Sequence, residues 1–65
     1  MERIDLFKAF KIAIEKEEEA NLFYLNMAKQ IEDAELKKII MDFADHEYRH
    51  METLTELYSR MKKPA

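Results

Sequence analysis

The stretch from Gln30 to Leu36, "QIEDAEL", decides the fold because the apolar repeats on its two sides do not share one phase. Before it, the core positions follow a heptad frame that contains residues 10, 17 and 24. After it, the frame contains residues 40, 47 and 54, a displacement of two residues. Coiled coils absorb insertions of three or four residues, so a displacement of two predicts a turn rather than one continuous rod.

Each repeat predicts one long helix, because apolar residues recur at alternating spacings of four and three. The first helix is predicted at about residues 5–31, the turn at about 32–34 and the second helix at about 34–61. Asp33 is the predicted N-cap of the second helix, and Glu35 lies in its first turn, where the helix dipole favours a carboxylate. We therefore predict that residues 1–65 form a single all-α domain, an antiparallel two-helix hairpin.

The size of the chain predicts that the hairpin does not act alone. Sixty-five residues bury little apolar surface, and without cysteine the remaining stabilisers are oligomerisation or a metal held by His and carboxylates. Two hairpins that pair into a four-helix bundle bury both apolar stripes, so a homodimer at least is expected. Leu22, Phe23 and Leu25 lie outside the stripe, which suggests a second interface that joins dimers into a ring.

Charge and hydropathy exclude two classes of partner. The net charge is −3 and basic residues are interspersed with acidic ones, so no nucleic-acid partner is expected. No apolar run approaches the roughly 20 residues of a membrane span, and the N-terminus "MERIDLFKAFK" lacks the pattern of a signal peptide. We expect a cytoplasmic protein without a membrane partner.

Three ionisable residues lie on the apolar stripes: Glu17 in the first helix, and Glu47 and His50 in the second. An unpaired buried carboxylate is costly, so these residues need compensation. Glu17 and Glu47 lie at similar distances from the turn, and His50 lies one turn from Glu47, so the three can converge. A two-fold dimer would place two Glu17 and two Glu47-x-x-His50 in the bundle centre, the ligand set of di-iron carboxylate bundles. Two ferrous ions would balance the four carboxylates.

The strings "EEEANLFY" (Glu17 to Tyr24) and "FADHEYRHMETL" (Phe43 to Leu54) resemble the rubrerythrin branch of the ferritin-like superfamily. Residues that match its pattern one by one are Glu17, Ala20, Tyr24, Ala44, Glu47 and His50. A rubrerythrin domain has four helices, so this half-length chain is most similar to the encapsulated ferritins, whose two-helix subunits pair around the di-iron site. It departs from these families in having no four-cysteine rubredoxin module and, in "SRMKKPA", no apolar cargo-loading tail.

The resemblance implies a ferritin-like four-helix bundle and a ferroxidase that oxidises Fe(II) with O2 or peroxide, in iron storage or detoxification. It implies Glu17, Glu47 and His50 as metal ligands, and Tyr24 as a further catalytic residue that hydrogen-bonds a ligand or takes part in redox chemistry. The expected cofactor is iron shared between two chains, and the ligand types also admit manganese or zinc as substitutes. An encapsulating protein shell is a further implied partner.

Alternatives stay open at this point. The chain could be a peroxide-scavenging protein like rubrerythrin, or a non-catalytic dimerisation module with an opportunistic zinc site. Glu17 belongs to a charged run, His50 could bond a carbonyl group, and Tyr24 could be a core residue. His46 is interpreted as a surface residue or a hydrogen-bonding neighbour of the site, and Asn21 as a partner of a ligand. Asp42 and Asp45 are interpreted as solvated, and so is Glu19, for which a role as an entry-site metal ligand is the alternative.

Overall fold

A computed structural model describes residues 5–63, which form two antiparallel α-helices and, in this range, no strand. Helix α1 spans Leu6–Lys29 and helix α2 spans Ala34–Lys62. The molecule measures 49 × 25 × 16 Å, as expected for two long helices side by side. The all-α hairpin predicted from the break in phase is therefore confirmed.

Both helices begin at an aspartate that caps free backbone N–H groups. Oδ2 of Asp33 accepts a hydrogen bond from the N–H of Leu36 at 3.2 Å, as the sequence predicted for α2. Oδ1 of Asp5 accepts from the N–H of Lys8 at 3.3 Å and caps α1 in the same way.

Helix α1 ends at Lys29, about two residues before the predicted boundary. The N–H of Gln30 donates to the carbonyl of Met27 at 3.1 Å, and the N–H of Ile31 donates to the carbonyl of Ala28 at 3.2 Å. These bonds to the third preceding residue tighten the last turn and end the helix. Residues 30–33 connect the helices, whereas the predicted turn covered about 32–34.

The two helices pack closely at two alanines. Ala28 and Ala44 are each 1% exposed, and among residues 5–63 they are the buried members of the core. Small side chains at the contact let the helix axes approach. Aromatic pairs also join the two helices: the Tyr24 and Phe43 rings lie 5.6 Å apart, and those of Phe10 and Tyr58 6.5 Å apart.

Large apolar side chains remain exposed on two sides of the hairpin. We call Phe43, His50, Leu54 and Leu57, which share one side of α2, the site face. Leu22, Leu25 and Met41 line a groove of about 310 Å³, which we call the back groove. Met41 lies roughly 120° around α2 from Glu47, away from the site face, at 100° per residue. One hairpin therefore leaves two separate apolar surfaces uncovered.

Within residues 5–63, neither helix is long and apolar enough to cross a membrane.

Candidate metal centre

The hairpin brings together the three residues that the sequence singled out. One ligand atom from each of Glu17, Glu47 and His50 lies within 4.8 Å of the other two. Glu47 and His50 are neighbours because they stand one turn apart on α2. Glu17 reaches them because α1 runs antiparallel to α2 and places it at the same height.

One carboxylate oxygen of Glu17 lacks a hydrogen-bond donor among residues 5–63. Its Oε2 atom is buried and has no hydrogen-bond partner. The Nδ1 atom of His50 lies 3.6 Å from Oε2 of Glu17, too far for a hydrogen bond. A buried carboxylate oxygen without a donor destabilises the fold unless something else compensates it.

The two carboxyl groups perturb each other. Proton sharing with the facing carboxyl group of Glu17 raises the pKa of Glu47 above its ordinary value of 4.5. Partial burial and repulsion from Glu17 raise this pKa further, whereas His50 and His46 lower it. Two carboxyl groups that compete for a proton indicate a place where a cation would be favourable.

A divalent metal ion fits this set of donors. It would supply the partner that Oε2 of Glu17 lacks and would offset the repulsion between Glu17 and Glu47. Carboxylate oxygens with an imidazole nitrogen suit iron or manganese, and zinc also binds such ligands. The side chain of His50 is 62% exposed, so the ligand set is open on one side.

That open side holds a pocket of about 270 Å³, lined by Glu17, His50, Thr53 and Leu54. The pocket has room for a small molecule beside the ligand atoms. Thr53 was not singled out by the sequence, although its position three residues after His50 was a usable signal. Its hydroxyl donates to the carbonyl of Arg49 at 3.0 Å.

Tyr24 lies in an aromatic cluster about two helical turns from Glu17 along α1. Its ring meets Phe43 at an interplanar angle of 71° and Phe23 at 76°, with ring centroids 5.6 and 5.7 Å apart. Both are edge-to-face contacts, which stabilise aromatic pairs. These contacts explain why an aromatic ring is present at position 24. The role of the Tyr24 hydroxyl in catalysis stays a prediction.

The remaining candidates lie at the periphery or form other contacts. His46, Glu19, Asp42 and Asp45 are exposed, and Asp45 pairs with Arg49 at 2.9 Å. Asn21 was interpreted as a hydrogen-bonding partner of a ligand. Its Nδ2 donates instead to the main-chain carbonyl of Ala44, at 2.8 Å.

The match to a known family covers almost the whole chain. The family model described as Rubrerythrin matches residues 8–65, which include both helices' ligand positions. No curated protein and no solved structure matches the chain. Because the matched segment spans Glu17, Glu47 and His50 and far more than half of the sequence, the chain belongs to the rubrerythrin family.

Proposed function

We propose that this chain is a di-iron ferroxidase whose site is completed by a second copy of the same chain. The observation that carries the proposal is the convergence of Glu17, Glu47 and His50 around a buried Glu17 oxygen that has no partner. Members of the rubrerythrin family bind iron, which makes Fe(II) the expected ion.

The number of ligands supports a site shared between two chains. One hairpin offers two carboxylates and one imidazole, which is half of the ligand set of a di-iron carboxylate bundle. Apposition of two copies about a two-fold axis would supply four carboxylates and two imidazoles. The four negative charges would then match the four positive charges of two Fe(II) ions.

The apolar surface around the ligands supports the same dimer. Phe43 and Leu57 on the site face are 46% and 40% exposed, and Leu36 and Ile39 nearby on α2 are 47% and 46% exposed. Monomeric proteins rarely leave large contiguous apolar patches open to water. A second hairpin on this face would cover the patch and enclose His50 at the same time.

The roles of the chain's own residues follow from their surroundings. Iron bound at the site would supply the electrons that reduce O2 or peroxide. Glu17 and Glu47 would hold the positive charge as carboxylates, and His50 would bind through a neutral ring nitrogen. Leu54, which lines the pocket beside His50, would keep that pocket apolar on one side. Tyr24 would act next to the ligands through its hydroxyl group.

The back groove supports association beyond the dimer. Leu22 and Met41 are 51% and 43% exposed there, and the groove lies away from the site face. Both surfaces can therefore be covered at once, which is what a ring of dimers requires. We propose the back groove as the contact between dimers.

An anaerobic Fe(II) titration of the metal-free protein, followed by O2 in one sample and peroxide in another, tests the proposed function. We expect saturation at one iron per chain and Fe(II) oxidation much faster than in buffer. The Glu47→Ala variant should lose both, whereas Glu52→Ala, which removes an exposed carboxylate from the same helix, should retain them.

The two oxidants separate the activities that fit the site. Faster turnover with O2 supports the ferroxidase, whereas turnover with peroxide alone supports peroxide scavenging. Absence of saturable Fe(II) binding, or equal binding in Glu47→Ala, would contradict the metal site itself.

A further inference from the structure

One side-chain hydrogen bond connects α1 with α2 in residues 5–63. Nδ2 of Asn21 donates to the carbonyl oxygen of Ala44 at 2.8 Å. The other side-chain hydrogen bonds in this range join residues three or four positions apart, within or at the start of a single helix. The Asn21 bond is therefore a polar contact of a different kind, because it ties the two helices to each other.

The bond lies directly beside the candidate metal centre. Asn21 follows Glu17 by one helical turn, and Ala44 precedes Glu47 by one turn. Ala44 is 1% exposed and Asn21 is half-buried, so water competes weakly for this bond. A constraint at this height acts on the ligand positions rather than on a distant part of the hairpin.

We infer that Asn21 is a positioning residue of the metal centre: its bond to Ala44 fixes the rotation of α1 so that Glu17 faces Glu47 and His50. This inference rests on the proposed function, since it assumes that these three residues hold a metal ion.

A small rotation of α1 matters at this site. A side-chain tip roughly 6 Å from the axis of α1 moves by about 2 Å when the helix turns by about 20°. Metal–ligand distances tolerate deviations of only about 0.2 Å. The connection at residues 30–33 restrains sliding near the turn, but Glu17 lies about 20 Å along α1 from it.

The choice of asparagine supports a directional role. Leucine has a side chain of the same branching and would bury more apolar surface at a half-buried helix interface. An amide in that place needs a partner, and a main-chain carbonyl can accept a second hydrogen bond while it keeps its helical one. The bond thus adds directional restraint without breaking α2.

Asn21→Leu and Asn21→Asp test the inference, with Asn26→Leu as the matched control at an exposed asparagine of the same helix. We expect Asn21→Leu to remain helical and at least as resistant to urea as the native protein, yet to bind Fe(II) about tenfold more weakly. Asn21→Asp should also bind more weakly, because a carboxylate cannot donate to Ala44. Native affinity in Asn21→Leu, or tighter binding in Asn21→Asp, would overturn the inference.

A measurement without metal separates this inference from the proposed function. In the metal-free protein, nuclear Overhauser contacts should join the Glu17 side chain to the His50 ring. We expect them to persist in Asn26→Leu and to vanish in Asn21→Leu, or in Asn21→Ala if the leucine variant does not fold. If the native protein fails to bind Fe(II), the proposed function is wrong, and these contacts still decide whether Asn21 orients Glu17.

Discussion

Nδ1 of His50 lies 3.6 Å from Oε2 of Glu17, across the interface between the two helices. The two atoms are too far apart for a hydrogen bond and close enough to bind a common ion. The hairpin thus brings ligand atoms from both helices near one another. Among residues 5–63, Oε2 of Glu17 has no hydrogen-bond donor. Substitutions at Glu17 should therefore change both the stability of the protein and its affinity for metal.

Glu17→Gln should stabilise the metal-free protein and abolish its metal site. The amide keeps the shape of the side chain, removes a negative charge and can donate to Glu47, so we expect a gain of about 1 kcal/mol in the free energy of unfolding. Fe(II) affinity should fall by 100-fold or more because one anionic ligand is lost. Urea unfolding and anaerobic titration measure the two effects.

Glu18→Gln is the control, since Glu18 is exposed on the neighbouring position of α1. Glu18→Gln should change neither the free energy of unfolding nor the Fe(II) affinity. A Glu17→Gln protein that is less stable than the native one without metal would show that the carboxylate has a partner that a single hairpin lacks.

The stability of the metal-free protein should fall as pH rises from about 4.5. Sharing a proton with Glu17 raises the pKa of Glu47, so the folded state binds more protons than the unfolded state in the window above 4.5. Stability from this group is therefore complete at low pH and is lost as the pH passes the folded-state pKa. Thermal unfolding of the native protein and of Glu47→Gln isolates this contribution.

With metal bound, the pH dependence should reverse in sign. Metal ions bind the deprotonated carboxylates, so protons compete with them, and the stabilisation by Fe(II) or Mn(II) should grow as the pH rises. If the stability of the protein changed with pH to the same extent with and without metal, a metal site that contains Glu47 would be contradicted.

Tyr24→Phe should separate the packing of the ring from the chemistry of its hydroxyl. Phenylalanine keeps the edge-to-face contacts with Phe43 and Phe23, so the free energy of unfolding and Fe(II) affinity should stay within error. The rate of Fe(II) oxidation should fall by about tenfold if the hydroxyl supports the ligands. An unchanged rate in stopped-flow absorbance would leave Tyr24 as a packing residue.

Leu57→Asn should weaken the proposed dimer. Leu57 is 40% exposed on the site face, so each copy would lose about 1 kcal/mol of apolar burial, and the loss counts twice in a two-fold dimer. The dissociation constant should rise roughly 30-fold, measured by analytical ultracentrifugation. Met41→Asn, in the back groove, is the control and should leave the dimer intact while it removes larger assemblies. If the dissociation constant were unchanged in Leu57→Asn, the dimer interface would lie elsewhere.

The sequence was sufficient for the fold where a pattern extended over many residues. The two-residue break in phase predicted the hairpin, and Asp33 predicted the start of α2. The same phase separated Glu17 from its charged neighbours Glu18 and Glu19, which are exposed. Such patterns are informative because one face of a long helix must be apolar for the helix to pack.

The sequence was insufficient where a single contact decided the outcome. Asn21 could have bonded a ligand or a backbone carbonyl, and only the distance between the helices at Ala44 selects the second. The end of α1 depends on two backbone hydrogen bonds, to the carbonyls of Met27 and Ala28. Glycine often marks the end of a helix, but this chain contains none, so the sequence did not predict this boundary. The site face and the back groove are surfaces formed by two helices together, so neither repeat shows them alone.

The scarcity of buried residues has an evolutionary consequence. Ala28 and Ala44 are the fully buried side chains among residues 5–63, so few substitutions in a single hairpin would create an internal cavity. Selection on apolar positions such as Phe43 and Leu57 would then act mainly on how well one hairpin associates with another. Lineages of such a chain should change their outer apolar surfaces only in concert.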